Sequence, residues 1–353
     1  MLLSFVFGFY RSVSETLGWD RQLNSIDIQR AVCIDDDIAV KKYIDAGMDV
    51  NIPNKDGKTL LMLAAIGGYA KALKMLLNNG ALVNYKDNHN GTALMYAAWN
   101  GNEEIVTGIL KVGADVKARN RNGYSALMFA VVSGKISAVR LLLSAGANIE
   151  DTDKLGISAL LMAVGKSDLS MIRLLLKSGA NPRSKAVSAW NPLLTAVEIG
   201  QTEIVQILLD AGADVTTKDQ DDNTALMVAV ERGHTEIVNK LINAGAEVNA
   251  RQKEGTTALL LATFKGYTNI VKYLISHGAD VNAKTKSGVT ALMISACNGQ
   301  REIVRALLEQ GAKVDDKNIH EGTALQIAAQ RGDQEMLRML LNKRVSGSIK
   351  AEA

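Results

Sequence analysis

The chain has 353 residues, with 40 Lys and Arg against 37 Asp and Glu, so its formal net charge is only +3. Such a balance does not point to nucleic acid or to an acidic surface as the partner. The length would ordinarily predict two or three globular domains, unless the sequence repeats itself.

Residues 1–23 begin with an apolar run that contains Phe5, Phe7 and Phe9. No Lys or Arg precedes the run and no small-residue cleavage site follows it, which argues against a secretory signal. The run is also far too short to span a bilayer. We predict that this segment folds back to cover the exposed face of the structure that follows. A peripheral membrane or partner anchor and a signal peptide stay open as alternatives.

From residue 24 to about residue 343 the chain repeats one stretch, which is clearest over residues 224–250. Thr224 suits the N-cap of a first helix, because its hydroxyl can accept a hydrogen bond from an unpaired backbone N–H. Gly233 ends that helix, and Gly245 follows a second helix where a positive φ is needed. Apolar residues recur on one face of each helix, Leu226, Ala229 and Val230 on the first and Ile237, Val238, Leu241 and Ile242 on the second.

Two residue series keep the same register along almost the whole chain, with a spacing of 33. The leucine series is Leu61, Leu94, Leu127, Leu160, Leu193, Leu226, Leu259, Leu292 and Leu325. The glycine series is Gly47, Gly80, Gly113, Gly146, Gly179, Gly212, Gly245, Gly278 and Gly311. Such registers predict a tandem array of about ten helix pairs that stack on one another instead of around one central core.

The motif at the start of the first helix resembles that of a known family. Thr92-Ala-Leu-Met-Tyr-Ala-Ala and Thr290-Ala-Leu-Met-Ile-Ser-Ala resemble the T-P-L-H-x-A signature of the ankyrin repeat, whose period is about 33. The family's proline is kept only as Pro192. Methionine replaces its histidine in five copies, which are Met62, Met95, Met128, Met227 and Met293. Because methionine is apolar and adaptable, we interpret this replacement as structural.

The resemblance implies an all-α solenoid of helix–turn–helix units with short β-hairpin fingers between them. We predict an N-terminal segment or cap over residues 1–23, the repeat array over residues 24–343 and a disordered tail over residues 344–353. The tail is small and polar, and Arg344 stands where every other unit has glycine. The turn between residues 185 and 191 is the least regular, since it lacks both Asp and Gly.

The resemblance also implies that the fingers and first helices line a concave groove that binds partner proteins. Positions just before the capping residue and at the end of the first helix face that groove, and Trp, Tyr and Arg are enriched at binding hot spots. For the aromatic residues, packing on neighbouring fingers stays open as the alternative. The predicted partner-binding residues are Trp99, Asn100, Tyr124, Trp190, Glu231, Arg232, Phe264, Lys265 and Arg331, with Gln330 beside the last.

Lys or Arg recurs at one finger position, but carboxylates in the same fingers largely cancel that charge. The basic residues are Lys86, Arg119, Lys185, Lys218, Arg251 and Lys317, and the acidic ones are Asp87, Asp153, Asp219, Asp221 and Glu254. This pattern predicts a solvated face of mixed charge.

Catalytic and metal-binding motifs are absent from the sequence. Its four histidines lie at three different positions of the repeat, without metal-ligand spacing, and the glycines recur at turns and not in a phosphate-binding loop. Cys33 and Cys297 lie eight repeats apart, too far to form a disulfide within the chain, so free thiols favour a reducing compartment.

We therefore predict a cytoplasmic, monomeric, non-catalytic module without a cofactor, which binds another protein and no nucleic acid. Two alternatives stay open. The first is a secreted or membrane-associated effector of the same family that is targeted by residues 1–23. The second is a structural spacer that associates with itself.

Overall fold

The structure is a computed structural model that describes residues 27–187 and 189–351. The predicted N-terminal segment, residues 1–23, lies outside the described residues. Within the described part the chain forms twenty helices in consecutive pairs, and none of them is long and apolar enough to cross a membrane. The all-α architecture expected from the repeat is confirmed.

The first helices of the pairs alternate with the second helices along the chain. In chain order the helices are α1 Asp27–Cys33, α2 Asp37–Asp45, α3 Leu60–Gly67, α4 Ala70–Asn78, α5 Ala93–Asn100, α6 Glu103–Lys111, α7 Ala126–Val132, α8 Ile136–Ser144, α9 Ala159–Gly165, α10 Leu169–Lys177, α11 Pro192–Glu198, α12 Thr202–Asp210, α13 Ala225–Arg232, α14 Thr235–Asn243, α15 Ala258–Lys265, α16 Thr268–Ser276, α17 Ala291–Asn298, α18 Arg301–Glu309, α19 Ala324–Gln330 and α20 Gln334–Ala351.

The chain divides into two compact units between Val187 and Ser188. Helices α1–α10 belong to the first unit, and helices α11–α20 belong to the second. Within each unit every first helix packs against its own second helix and against the next first helix along the chain. Each unit therefore builds its core between neighbouring repeats.

The leucine series forms the centre of each core. Eight of its members are no more than 1 % exposed, and only Leu325 is half-buried. The five methionines that replace the family's histidine are no more than 2 % exposed, so they fill space inside the core. Burying a large aliphatic side chain contributes about 1.5–3 kcal/mol, which makes this repeated position a main source of stability.

The helices begin and end at the capping and glycine residues of the repeat motif. The Thr224 hydroxyl accepts a hydrogen bond from the N–H of Met227 at 3.3 Å. Gly233 ends α13 with a φ of 73°, and a Cβ on it would lie 3.0 Å from the ring of Tyr267. Both the backbone angle and the neighbouring ring therefore favour glycine there. Equivalent side-chain caps occur at Thr59, Thr92, Ser125, Ser158, Asn191, Thr257, Thr290 and Thr323.

The fingers are tight turns and not two-stranded hairpins. We use the name finger for the segment from Asp87 to Gly91 and its equivalents in other repeats. In the described residues no strand forms, and three isolated antiparallel bridges pair Thr152 with Ser158, Lys218 with Thr224 and Lys284 with Thr290. The segments are too short for a ladder, so the β-hairpin expected from the resemblance is reduced to single bridges.

The last helix extends beyond the predicted array boundary. Helix α20 continues to Ala351, whereas composition predicts disorder from residue 344. Other second helices are followed by a glycine with a positive φ, which turns the chain away from the helix. Arg344 occupies that position here, and a side chain disfavours the left-handed turn, so the helix has no stop signal there.

We expect Leu226→Ala to lower the free energy of unfolding by about 2–5 kcal/mol, because it removes buried atoms and leaves a cavity. Phe264→Ala is the control, since Phe264 is 64 % exposed and should change stability by about 0.5 kcal/mol or less. Denaturant unfolding followed by circular dichroism measures both. Equal midpoints for Leu226→Ala and the unchanged chain would contradict the assignment of this leucine to the core.

We expect Ser167→Gly to stabilise the chain by about 1 kcal/mol, because Ser167 holds a left-handed φ of 56° where most repeats have glycine. The reverse change, Gly134→Ser, should destabilise by a similar amount. Its φ is 70°, and the atom nearest to an added Cβ is 3.9 Å away, so the cost is conformational and not a clash. Shifts of the same sign in the two variants would contradict this explanation.

Candidate partner-binding surface

Six fingers are organised by the side chain of their first residue, which is Asp or Asn. In the finger that begins at Asp87, the carboxylate accepts hydrogen bonds from the N–H groups of His89 at 2.8 Å and Gly91 at 2.7 Å. The Asp87 N–H donates to the Gly91 carbonyl at 3.0 Å, so the turn closes on itself. The same side-chain pattern recurs at Asn54, Asn120, Asp153, Asp219 and Asn318.

Neighbouring fingers of the first unit are joined by backbone hydrogen bonds at their tips, which are the second and third residues of each finger. The Asn88 N–H donates to the Asp56 carbonyl at 3.1 Å, and the Arg121 N–H donates to the His89 carbonyl at 2.8 Å. Lys154 continues the series through the Asn122 carbonyl, also at 3.1 Å. The tips therefore form a connected row with fixed spacing.

Three aromatic rings meet beside this row. Trp99 lies at the end of helix α5, Tyr124 is the last residue of the next finger, and Phe129 lies in helix α7. The Phe129 ring centroid is 6.4 Å from that of Trp99 and 6.0 Å from that of Tyr124, and both contacts are edge-to-face. We call Trp99, Tyr124 and Phe129 the aromatic cluster. Trp99 and Tyr124 are half-buried, whereas Phe129 is buried beneath them.

With helix pairs, fingers and repeat register in place, a comparison with protein families decides the assignment. The family described as "Ankyrin repeats (3 copies)" matches residues 28–120, 127–219, 160–252, 193–285, 226–318 and 281–351. The chain belongs to the ankyrin repeat family. No curated protein matches it. Members of this family generally bind other proteins and are typically not enzymes.

Two tyrosines of the ankyrin array are tied to buried carboxylates. The Tyr96 hydroxyl donates to Asp87, and the Tyr124 hydroxyl pairs with Asp153. Burial raises the pKa of both hydroxyls above the usual range, and the neighbouring carboxylates add to the effect. Both hydroxyls therefore stay protonated as donors. These bonds fix the orientation of Tyr124 within the aromatic cluster.

The last two positions of the first helix, such as Trp99 and Asn100, were predicted to face a partner. The second of the two also reaches back to the preceding repeat. The Asn100 amide donates to the Ile66 carbonyl at 3.1 Å, and Arg331, the residue after α19, donates in the same way to the Cys297 carbonyl. These donors satisfy carbonyls that the end of a helix leaves unpaired.

Three predicted residues of the second unit form ion pairs across neighbouring repeats. Arg232 donates from Nε to the Glu198 carboxylate at 3.0 Å, and this contact raises the pKa of the guanidinium. Lys265 lies 3.8 Å from Glu231. Exposed ion pairs contribute about 0–1 kcal/mol to the stability of a fold, so these pairs neutralise one another's charge but add little stability.

The remaining predicted residues also lie in the second unit. Trp190 is half-buried in its finger, whereas Phe264 and Gln330 are exposed at the ends of α15 and α19. Neither the Trp190 ring nor the Phe264 ring stacks on another ring in the described part of the chain. The structure thus brings Trp99 and Tyr124 together through Phe129, and among the described residues of the second unit Trp190 and Phe264 form no comparable cluster.

Sequence reasoning missed Phe129 and Tyr96, which occupy the same position of successive first helices. Other repeats carry aliphatic or small residues there, such as Leu261, Ile294 and Thr195. The sequence did contain a signal for them, because two successive repeats carry an aromatic residue at a position that is normally aliphatic. Among the described residues no group of three or more His, Cys, Asp or Glu is placed to hold a metal ion.

We expect Tyr96→Phe to destabilise the chain by about 1–3 kcal/mol, because it removes a hydrogen-bond donor from the buried Asp87 carboxylate. Tyr85→Phe is the control, because its hydroxyl has no hydrogen-bond partner among the described residues. Thermal unfolding of both variants gives the comparison. If the two variants lose the same stability, the hydrogen bond from Tyr96 to Asp87 does not stabilise the chain as expected.

Proposed function

We propose that the chain is a non-catalytic module that binds another protein through the face formed by its fingers and first helices. The aromatic cluster is the observation that carries this proposal. Phe129 contacts two half-buried rings edge-to-face, and a hydrogen bond to Asp153 holds Tyr124. Pre-oriented aromatic side chains bury a large area with little loss of conformational entropy, which is what a binding hot spot requires.

Within this proposal Trp99 and Tyr124 are the main contacts, and Asn100 lies beside them. We count as further contacts the predicted residues of the second unit, which are the half-buried Trp190 and the exposed Glu231, Arg232, Phe264, Lys265 and Arg331. We further propose a monomer that acts in the cytoplasm and does not bind nucleic acid. Two exposed cysteines without disulfide partners are compatible with a reducing compartment.

Trp99→Ala tests the proposal in a capture experiment from a lysate of the source cells, with the full chain immobilised. We expect Trp99→Ala to lose the protein that the unchanged chain retains. Its stability should fall by only about 0.5–1.5 kcal/mol, which corresponds to the lost ring contact with Phe129. Val112→Ala is the matched control, because Val112 is an exposed apolar residue, 49 % accessible, after a second helix.

Equal capture by Trp99→Ala and the unchanged chain would overturn this function for the aromatic cluster. The molar mass of the purified chain, measured by light scattering, distinguishes the interaction module from the self-associating spacer. A monomer supports the interaction module, whereas a concentration-dependent multimer supports the self-associating spacer.

A further inference from the structure

The chemistry around the aromatic cluster specifies the kind of partner. We propose that the cluster docks an extended protein segment in which an apolar side chain is flanked by Asp or Glu. This inference rests on the proposed function and adds the chemistry of the bound segment.

The first helices beneath the cluster are uncharged. Helices α3, α5, α7 and α9 contain no Asp, Glu, Lys or Arg in any of their residues. Lys166 follows the last of them and donates to the Val132 carbonyl. We call these four first helices the floor of the surface. The floor can bury an apolar side chain of a partner without desolvating a charged residue of its own.

The finger tips above this floor are cationic. Lys55, Arg121 and Lys154 are exposed, and the one carboxylate at the described tips of the first unit is Asp56, which lies 3.5 Å from Lys58. Among the described residues no carboxylate lies within ion-pair distance of Arg121 or Lys154. Their backbone N–H groups bond to the preceding tips, so the backbone that carries both positive side chains is fixed in the row of tips, and Arg121 belongs to the same finger as Tyr124.

The same finger position in the second unit also carries lysine, but there the charge is compensated. Lys253 lies 3.8 Å from Asp221, and Lys286 lies 3.8 Å from Glu254. An acidic segment would have to displace those carboxylates before it could pair with the lysines. In the first unit it meets cations that are still unpaired, and charge complementarity of this kind selects the partner.

A basic segment fits this surface poorly, even though aromatic rings can attract cations. The finger carboxylates Asp87 and Asp153 are buried and already bonded to Tyr96 and Tyr124. A Lys or Arg on the partner would therefore meet repulsion from Arg121 and Lys154, which these two buried carboxylates are not exposed to offset.

The test begins with a displayed library of random peptides that is selected on the full chain and counter-selected on Trp99→Ala. We expect the recovered peptides to be enriched in Asp and Glu next to Trp, Phe or Leu. One recovered peptide is then synthesised with a fluorescent label, and its dissociation constant is measured by anisotropy.

Two pairs of charge reversals identify the cations that recognise the peptide. We expect Arg121→Glu combined with Lys154→Glu to weaken binding about tenfold or more. Lys253→Glu combined with Lys286→Glu changes the same finger position in the second unit and should alter binding about twofold or less. Melting temperatures of both variants report whether the fold is intact.

Each other outcome overturns a defined part of the inference. Recovered peptides without acidic enrichment that still require Trp99 would refute the proposed chemistry and leave the proposed function standing. Equal weakening by both pairs of reversals would refute the site. A library that gives no peptide above background would refute an extended segment as the partner, while lysate capture continues to test the function independently.

Discussion

A pair of short helices can bury its apolar face only against another pair, and the rest of this structure depends on that constraint. Leu226 and its equivalents are buried because a first helix packs on the next first helix, with no central core available to receive them. The constraint fixes the side chains between repeats and determines the spacing of everything that projects from them. Fingers and helix ends are thus carried at regular intervals by a core that they do not form.

Because the leucines, methionines and alanines of each repeat are largely buried in the core, the side chains that remain accessible to a partner lie mainly in the fingers and at the helix ends. The first unit has an uncharged floor with aromatic rings and cationic finger tips. In the second unit Glu198, Glu231, Arg232 and Lys265 pair with one another across repeats. The two units therefore differ in how their charges are paired. Neither the near-neutral total charge nor an average over all fingers shows this difference.

The helices, their caps and the leucine register could be predicted from sequence, because each depends on residues within one repeat or on a strict period. The role of Trp99 and Tyr124 as partner contacts stays a prediction, but their positions in the repeat could be predicted for the same reason. Their support by Phe129 could not, because an aromatic residue at a buried helix position looks like any other core residue. The bond from Asn100 to the Ile66 carbonyl joins two repeats and depends on how closely they stack. The extension of α20 depends on the absence of a stop signal at Arg344, which composition alone does not reveal.

The five methionines that replace the family's histidine have a consequence for the chemistry of the folded chain. Their thioethers are shielded from solvent, so a peroxide oxidant reaches each one only when its own repeat opens. Conversion to the sulfoxide adds a polar oxygen that the closed core cannot hydrate. An opening that is normally reversible would then become permanent, and oxidation at Met62, Met95, Met128, Met227 or Met293 would record which repeat had opened.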